Sequence, residues 1–240
     1  MPDFVIIGGG VYGCGVAWEL AKRGAEVCLL EAETVASGAS GGLGKRGVRA
    51  NGRDMRELPF MHMAYDMWPT LHEELGAPTG YERTGHLLLI ERENDYLSME
   101  AQGWLQRQYD IPSTMLSQAQ LREKEPFVSE QVIGAIYCSK DGIADHTATT
   151  RAYAQAAEKE GAVIREHTVV TGLEQQNDRV VAVTTSQAER IPVGHSVLLL
   201  SNRHTLTFVK EQFDLTLPVW PLYPQAVSYT HLTLPTNTPV

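Results

Sequence analysis

Residues 4–31 read FVIIGGGVYGCGVAWELAKRGAEVCLLE, and the order of residue types in this stretch decides the fold. Phe4 to Ile7 is a short apolar run bounded by glycines, which predicts a parallel strand buried on both faces. From Val11 to Arg23 the apolar positions Val11, Val16, Leu20 and Ala21 alternate with Glu19, Lys22 and Arg23; Gly24 then supplies the left-handed residue that ends helices. Val27 to Leu30 is a second apolar run, closed by Glu31. Strand, glycine turn, helix and strand within about 30 residues make a βαβ unit.

The glycines stand where a mechanism needs them. Gly8, Gly10 and Gly13 satisfy G-x-G-x-x-G after the strand and at the opening of the helix. The first permits a tight turn, the second lets backbone approach a pyrophosphate with no Cβ in the way, and the third lets the helix pack closely on the strand. The helix start, with Val11 and Tyr12, then presents unpaired N–H groups and a partial positive charge to phosphates. Glu31, followed by Ala32, lies 18 residues after Gly13 and is placed to accept hydrogen bonds from both ribose hydroxyls of an adenosine half. The same carboxylate repels a 2′-phosphate, which disfavours NADP.

The bulk composition narrows the class. A chain of 240 residues with 43% hydrophobic and 20% charged residues has room for one large domain or two smaller ones around a buried core. A net charge of −9 provides no basic field for a phosphate backbone, so nucleic acid is not an expected partner. Cys14, Cys28 and Cys138 are odd in number and lack C-x-x-C spacing, which predicts reduced core thiols and no metal. With neither a basic n-region nor an apolar run of membrane-spanning length, the expected address is the cytoplasm, with no integral membrane segment.

Further along, Val35 to Gly52 is crowded with Gly, Ser and Ala and ends in Lys45, Arg46, Arg49 and Arg53, which predicts a loop lying against something anionic. Leu58 to Leu75 has helical spacing, and Tyr81 to Ile90 reads as strand, turn, strand. Leu97 to Tyr109 and Ser117 to Glu123 read as helices, the second stopped by Pro126. Ile133 to Tyr137 is a strand candidate, Asp141-Gly142 marks a turn, and Thr147 to Glu160 is amphipathic. Val163 to Ile164, Val169 to Leu173, Val180 to Thr184 and Ser196 to Leu200 are strand candidates spaced like a small sheet. His86, His146 and His204 are isolated and read as structural; Trp220, Tyr223 and the Met61 to Met67 stripe read as core or interface.

The glycine motif, the Ser37-Gly38-Ala39-Ser40-Gly41-Gly42 loop, the Arg83-Thr84-Gly85-His86-Leu87 hairpin and Asp141-Gly142 before a helix together resemble the D-amino-acid oxidase superfamily, which includes sarcosine and glycine oxidases. NAD as sole cofactor would predict a second mononucleotide-binding half soon after the first, and the chain instead enters this loop and hairpin. The resemblance implies FAD. It lays Ser40, through backbone and hydroxyl, and the backbone of Gly41 and Gly42 along the flavin pyrophosphate and ribitol, and puts the backbone of Val170 against the adenine. Leu217-Pro218-Val219 with Pro221 resembles the family's following proline-bearing stretch, so the likeness covers residues 3 to 225. Ser201-Asn202-Arg203-His204 departs from the family's small-residue and glycine turn, with Asn202 as the residue best able to adopt the left-handed conformation. Lys45, Arg46 and Arg49 are candidates for a positive charge at the flavin pyrimidine edge; phosphate contact and plain solvent exposure are the alternatives.

The implied fold is α/β: a Rossmann-like FAD-binding domain with a parallel sheet, plus part of a smaller α+β substrate domain. Residues 1–80 and 141–205 are expected to be the two parts of the FAD-binding domain. Residues 81–140 are expected to begin the substrate domain, and 206–226 to start the return to it. The uncharged segment 227–240 resembles a translated adapter and is expected to be a non-native tail, the native chain continuing past Gln225 into a part that carries the substrate ligands. The implied reaction is oxidation of a C–N bond in an amine or amino acid, with hydride passing to flavin and an imine later hydrolysing. The 240-residue chain itself is expected to be inactive and to bind FAD weakly or not at all. A partner subunit or separate electron acceptor fits the same picture. An FAD-dependent dehydrogenase of a 2-hydroxy acid or glycerol phosphate, and a non-catalytic dinucleotide-binding subunit of a larger dehydrogenase, remain alternatives.

Overall fold

The structure, a computed structural model, describes residues 1–38 and 44–220. β1 (Phe4–Ile7), α1 (Val11–Ala21) and β2 (Val27–Leu30) follow one another as predicted. Every residue of β2 is buried, as a strand flanked on both edges and covered on both faces requires. The buried face of α1 is Gly13, Cys14, Ala17, Trp18 and Ala21. This corrects the predicted stripe: Val16 and Leu20 only border the core, because the helix meets the sheet through its smallest residues.

The stretch after residue 43 is not all loop. Lys45–Val48 forms strand β3, so Lys45 and Arg46 project from regular backbone. A 3₁₀ turn at Met55–Glu57, capped by the Asp54 carboxylate, leads into α2 (Leu58–Met67) and α3 (Leu71–Leu75). The single helix expected over this span breaks around Pro69, which cannot donate to the preceding turn. The Met61 to Met67 stripe also divides, Met61 packing inward while Met63 and Met67 are exposed. Of the expected strand pair over Tyr81 to Ile90, only β4 (His86–Ile90) is a strand; Glu82 forms an isolated bridge to Ile143.

α4 (Glu93–Gln108) is followed by β5 (Ser113–Ser117), a strand whose Ser-Thr-Met-Leu-Ser sequence carries no strong local strand signal, and by α5 (Gln118–Lys124). Ser117 and Gln120 close a reciprocal capping box on α5. Next come β6 (Gly134–Cys138), β7 (Gly142–Asp145) and α6 (His146–Lys159). Asp141 and Gly142 are therefore not the turn itself, which falls at Ser139 and Lys140. The remainder is β8 (Val163–Arg165), β9 (Val170–Gln176), β10 (Arg179–Thr185), β11 (Arg190–Pro192), β12 (Ser196–Leu199) and α7 (His204–Phe213). β11 and α7 were not expected from sequence.

Four strands form a parallel sheet in the order β12-β1-β2-β8. The strand candidates between Val163 and Leu200 thus do not form one small sheet. β8 and β12 complete the parallel sheet, while β9, β10 and β11 form a separate antiparallel one. The division has a local cause: Asn177 and Asp178, both at positive φ, make a tight turn that can join β9 only to an antiparallel neighbour. β3 pairs with β7, and β4-β6-β5 is a third antiparallel sheet. α1 packs on α6 through Trp18 and Tyr153, whose rings lie 5.6 Å apart, over buried Ala152, Ala156 and Ala157. Because β2 lies on one side of β1 and β12 on the other, the crevice at their carboxyl ends is a topological switch point, where open α/β sheets bind ligands.

A Cβ built at Gly13 would stand 1.9 Å from the Gly8 carbonyl oxygen, whereas one at Gly10 meets nothing within 4 Å. Gly13→Ala is expected to destabilise the chain by about 1–3 kcal/mol or more through overpacking against backbone, and Gly10→Ala to leave stability unchanged. Urea denaturation of both variants checks this; equal midpoints would show that α1 does not rest on Gly8 as described.

Candidate dinucleotide site

The site begins where β1 ends. Gly8 adopts a φ of 116°, open to glycine and to few other residues, and the Leu200 carbonyl oxygen lies 2.6 Å from where its Cβ would be. Gly10 takes the N-cap position of α1 with no side-chain cap, and the first turn carries no acidic residue. The helix start is therefore open space above a Cβ-free backbone, with Val11 half-buried, Tyr12 exposed and Gly13 buried beneath. Such a terminus attracts anions through its free N–H groups and the helix dipole.

Glu31 faces this crevice. Its Oε2 accepts the Gly9 N–H at 2.5 Å and its Oε1 the Glu33 N–H at 3.0 Å. A carboxylate has about four acceptor positions, so the two amides leave capacity for two further donors such as ribose hydroxyls. Ala32, beside it, is exposed. The loop after Glu31 is clasped on both sides: Ala36 donates its N–H to the Gly9 carbonyl, and Val35 to Glu166 Oε1 at 2.7 Å. The Thr168 and His167 amides donate to the carbonyls of Glu31 and Glu33. Val170, three residues beyond His167, opens β9 and packs its side chain against the cluster around Val5 and Leu30.

Cys14 lies beneath the crevice, its thiol directed at the Gly9 carbonyl at 3.5 Å. Burial first, then the charges of Glu31, Glu158 and Glu166, pushes the thiol up to about 12, so it is a neutral core group and no nucleophile. Cys28 and Cys138 are likewise buried and unpaired.

Of the basic candidates, Lys45 is ion-paired with Glu82, and Arg46 donates from Nη1 to the Lys45 carbonyl at 2.7 Å. Arg49 donates to the Asn51 carbonyl. Ser40, Gly41, Gly42 and Tyr223 lie outside the described residues. Trp220 is exposed. Asn202 does adopt the left-handed conformation, φ 53°, at the position where the family resemblance called for glycine. Burial lowers the basicity of His86, opposed by Asp141 and reinforced by Arg49; burial and then Arg46 lower that of His146. His204 starts α7 at the surface.

Sequence reasoning missed two contributors: the Gly9 amide and the Glu166 carboxylate. The first had a signal in its place between the motif glycines; the second depends on a contact between residues 35 and 166, which no local pattern carries.

The residues present fit an adenine dinucleotide. The observation behind this is the open volume at Gly10 over an uncapped helix start, with the Glu31 carboxylate docked one residue away. Among the described residues no group of three or more His, Cys, Asp or Glu is arranged to hold a metal ion, and no helix is long and apolar enough to cross a membrane.

The sequence profile of the family described as FAD dependent oxidoreductase matches residues 3–239. The chain is 26% identical over 224 residues to the sarcosine oxidase subunit beta of Rhizobium meliloti, covering 90% of this chain and 53% of that protein. It is 32% identical over 194 residues to the glycine oxidase of Geobacillus kaustophilus, covering 76% of this chain and 50% of that one. A crystal structure of a glycine oxidase from Bacillus cereus superposes with a TM-score of 0.75 at 30% identity, over 88% of this chain and 58% of that one. The chain thus spans only about half the length of these relatives. The glycine crevice, the docked acid and the parallel sheet are accordingly those of a member of the FAD-dependent oxidoreductase family, to which this chain belongs.

Proposed function

We propose that this chain carries the dinucleotide-binding part of an FAD-dependent oxidoreductase that oxidises a C–N bond in an amine or amino acid. The observation that carries the reading is the open, uncapped start of α1 at Gly10 with Glu31 held against Gly9. The amine class is supported by the relatives, among them a sarcosine oxidase subunit, a glycine oxidase and a sarcosine dehydrogenase. Bound FAD would supply the two-electron acceptor. In this reading the amides of Gly10, Val11, Tyr12 and Gly13 receive the pyrophosphate, and Glu31, with Ala32 beside it, holds the adenosine ribose. Ser40, Gly41 and Gly42 follow the pyrophosphate and ribitol, the Val170 backbone contacts the adenine, and Arg46 adds positive charge near the flavin. Residues 1–80 and 141–205 then form the two parts of the FAD domain. The parallel sheet supports this, since its four strands come only from those spans. Residues 81–140, which supply β4, β5 and β6, begin the substrate domain. A partner subunit is part of the proposal, supported by relatives that are themselves subunits.

Two outcomes are expected. First, ADP binding followed by calorimetry is expected to weaken about tenfold or more in Gly10→Ala, whose new methyl group stands where the pyrophosphate approaches, and in Glu31→Gln, which loses a charge-assisted hydrogen bond. Wild-type affinity in both variants would remove the crevice as the binding site. Second, with only about half of its relatives' length, the chain alone is expected to hold FAD weakly and not to turn over. A yellow, stoichiometric complex bleached anaerobically by sarcosine or glycine would contradict that.

A further inference from the structure

Away from the glycine crevice, the most heavily engaged buried polar group is Asp141, whose side chain is 0% exposed. Its Oδ1 accepts the Ala50 N–H at 2.7 Å and the Tyr65 hydroxyl at 2.5 Å, and its Oδ2 accepts the Asn51 N–H at 3.1 Å. A buried carboxylate costs several kcal/mol unless such donors replace its water, and an apolar residue would fill the volume at less cost. The two amides it holds are those that directly follow Arg49. The carbonyl of that same Asn51 accepts from Arg49 Nη1, and the guanidinium folds back over two glycines. Its Cδ would lie 3.3 Å from a Cβ at Gly47 and its Nη1 3.1 Å from one at Gly52. The Asn51 side chain ties the same turn to the sheet beyond, donating to the carbonyls of His86 on β4 and Ile136 on β6.

We infer that Asp141 is a positioning residue for Arg49: by gripping the Ala50 and Asn51 amides it fixes the turn whose carbonyl aims the guanidinium. Tyr65 stabilises the carboxylate without touching the turn amides. Loss of the phenol therefore weakens the fold and leaves Arg49 where it is, whereas loss of the carboxylate strands a buried amide and frees the turn. The functional consequence rests on the proposed FAD reading and on Arg49 being, as the sequence suggested, a candidate for positive charge at the flavin pyrimidine edge.

The test uses the 240-residue chain labelled with ¹⁵N and ¹³C. In the wild type, a through-hydrogen-bond scalar coupling is expected between the Ala50 amide nitrogen and the Asp141 carboxyl carbon; its absence overturns the inference even if no variant folds. Asp141→Asn is expected to shift the Ala50 and Asn51 amide signals and the Arg49 Nε–Hε signal. Tyr65→Phe is expected to lower the melting temperature with those signals in place. An Arg49 signal that stays put in Asp141→Asn, or moves equally in Tyr65→Phe, overturns the inference. In FAD titrations by fluorescence quenching, Arg49→Gln and Asp141→Asn are each expected to weaken binding about three- to tenfold, and the double variant no further. Factors that multiply would separate Asp141 from Arg49 and overturn it. If the wild type takes up neither ADP nor FAD, the cofactor reading fails, while the resonances still decide the positioning role.

Discussion

Helix α1 can rest on strand β1 only because position 13 has no side chain: the Gly8 carbonyl already occupies the volume a Cβ would need. That close seating sets the direction of the helix and brings its uncapped amino end to the switch point between β1 and β12. The buried Gly9 amide beside it anchors the Glu31 carboxylate. One missing methyl group thus governs the strand-to-helix turn, the open volume at Gly10 and the placement of the acid.

Charge is distributed along the crevice in keeping with a ligand that is anionic in its middle and hydroxylated at one end. Glu31, Glu33 and Glu166 surround the loop that closes β2, and their side chains or carbonyls are committed to backbone amides rather than to cations. The basic residues stand apart, on β3 and the turn after it, with Lys45 balanced by Glu82. The buried Cys14 thiol is held neutral, and partial burial lowers the basicity of the half-buried His86 and His146. In such a layout the protein orients and tunes a cofactor that carries the chemistry itself.

The second half of the architecture depends on contacts distant in sequence. The β3–β7 pair joins residue 45 to residue 145, and the Asp141 carboxylate joins α2 to the turn after β3. These ties hold the basic strand against the segment that leads into α6. The apolar cluster at this junction, around Leu58, Tyr65 and Ile111, is smaller than the one beneath α1. Directional hydrogen bonds therefore specify the geometry there.

The sequence by itself determined the βαβ unit, its glycine turn and the acid at its end, because each is local: apolar runs, a 3.6-residue period and glycines at fixed offsets act within about 30 residues. Tertiary structure alone decided what depended on partners far along the chain. Lys45–Val48 is a strand because β7 offers it an edge, although its own composition reads as loop. β8 and β12 join the parallel sheet because crossovers bring them beside β2 and β1, whereas β9 and β10 are paired locally by the Asn177–Asp178 turn. Asp141 looks like a turn residue in sequence and is a buried anchor in space, since its burial is set by the Ala50–Asn51 turn and Tyr65 closing over it. Local patterns encode backbone conformation; which groups lose their water is encoded only when the elements meet.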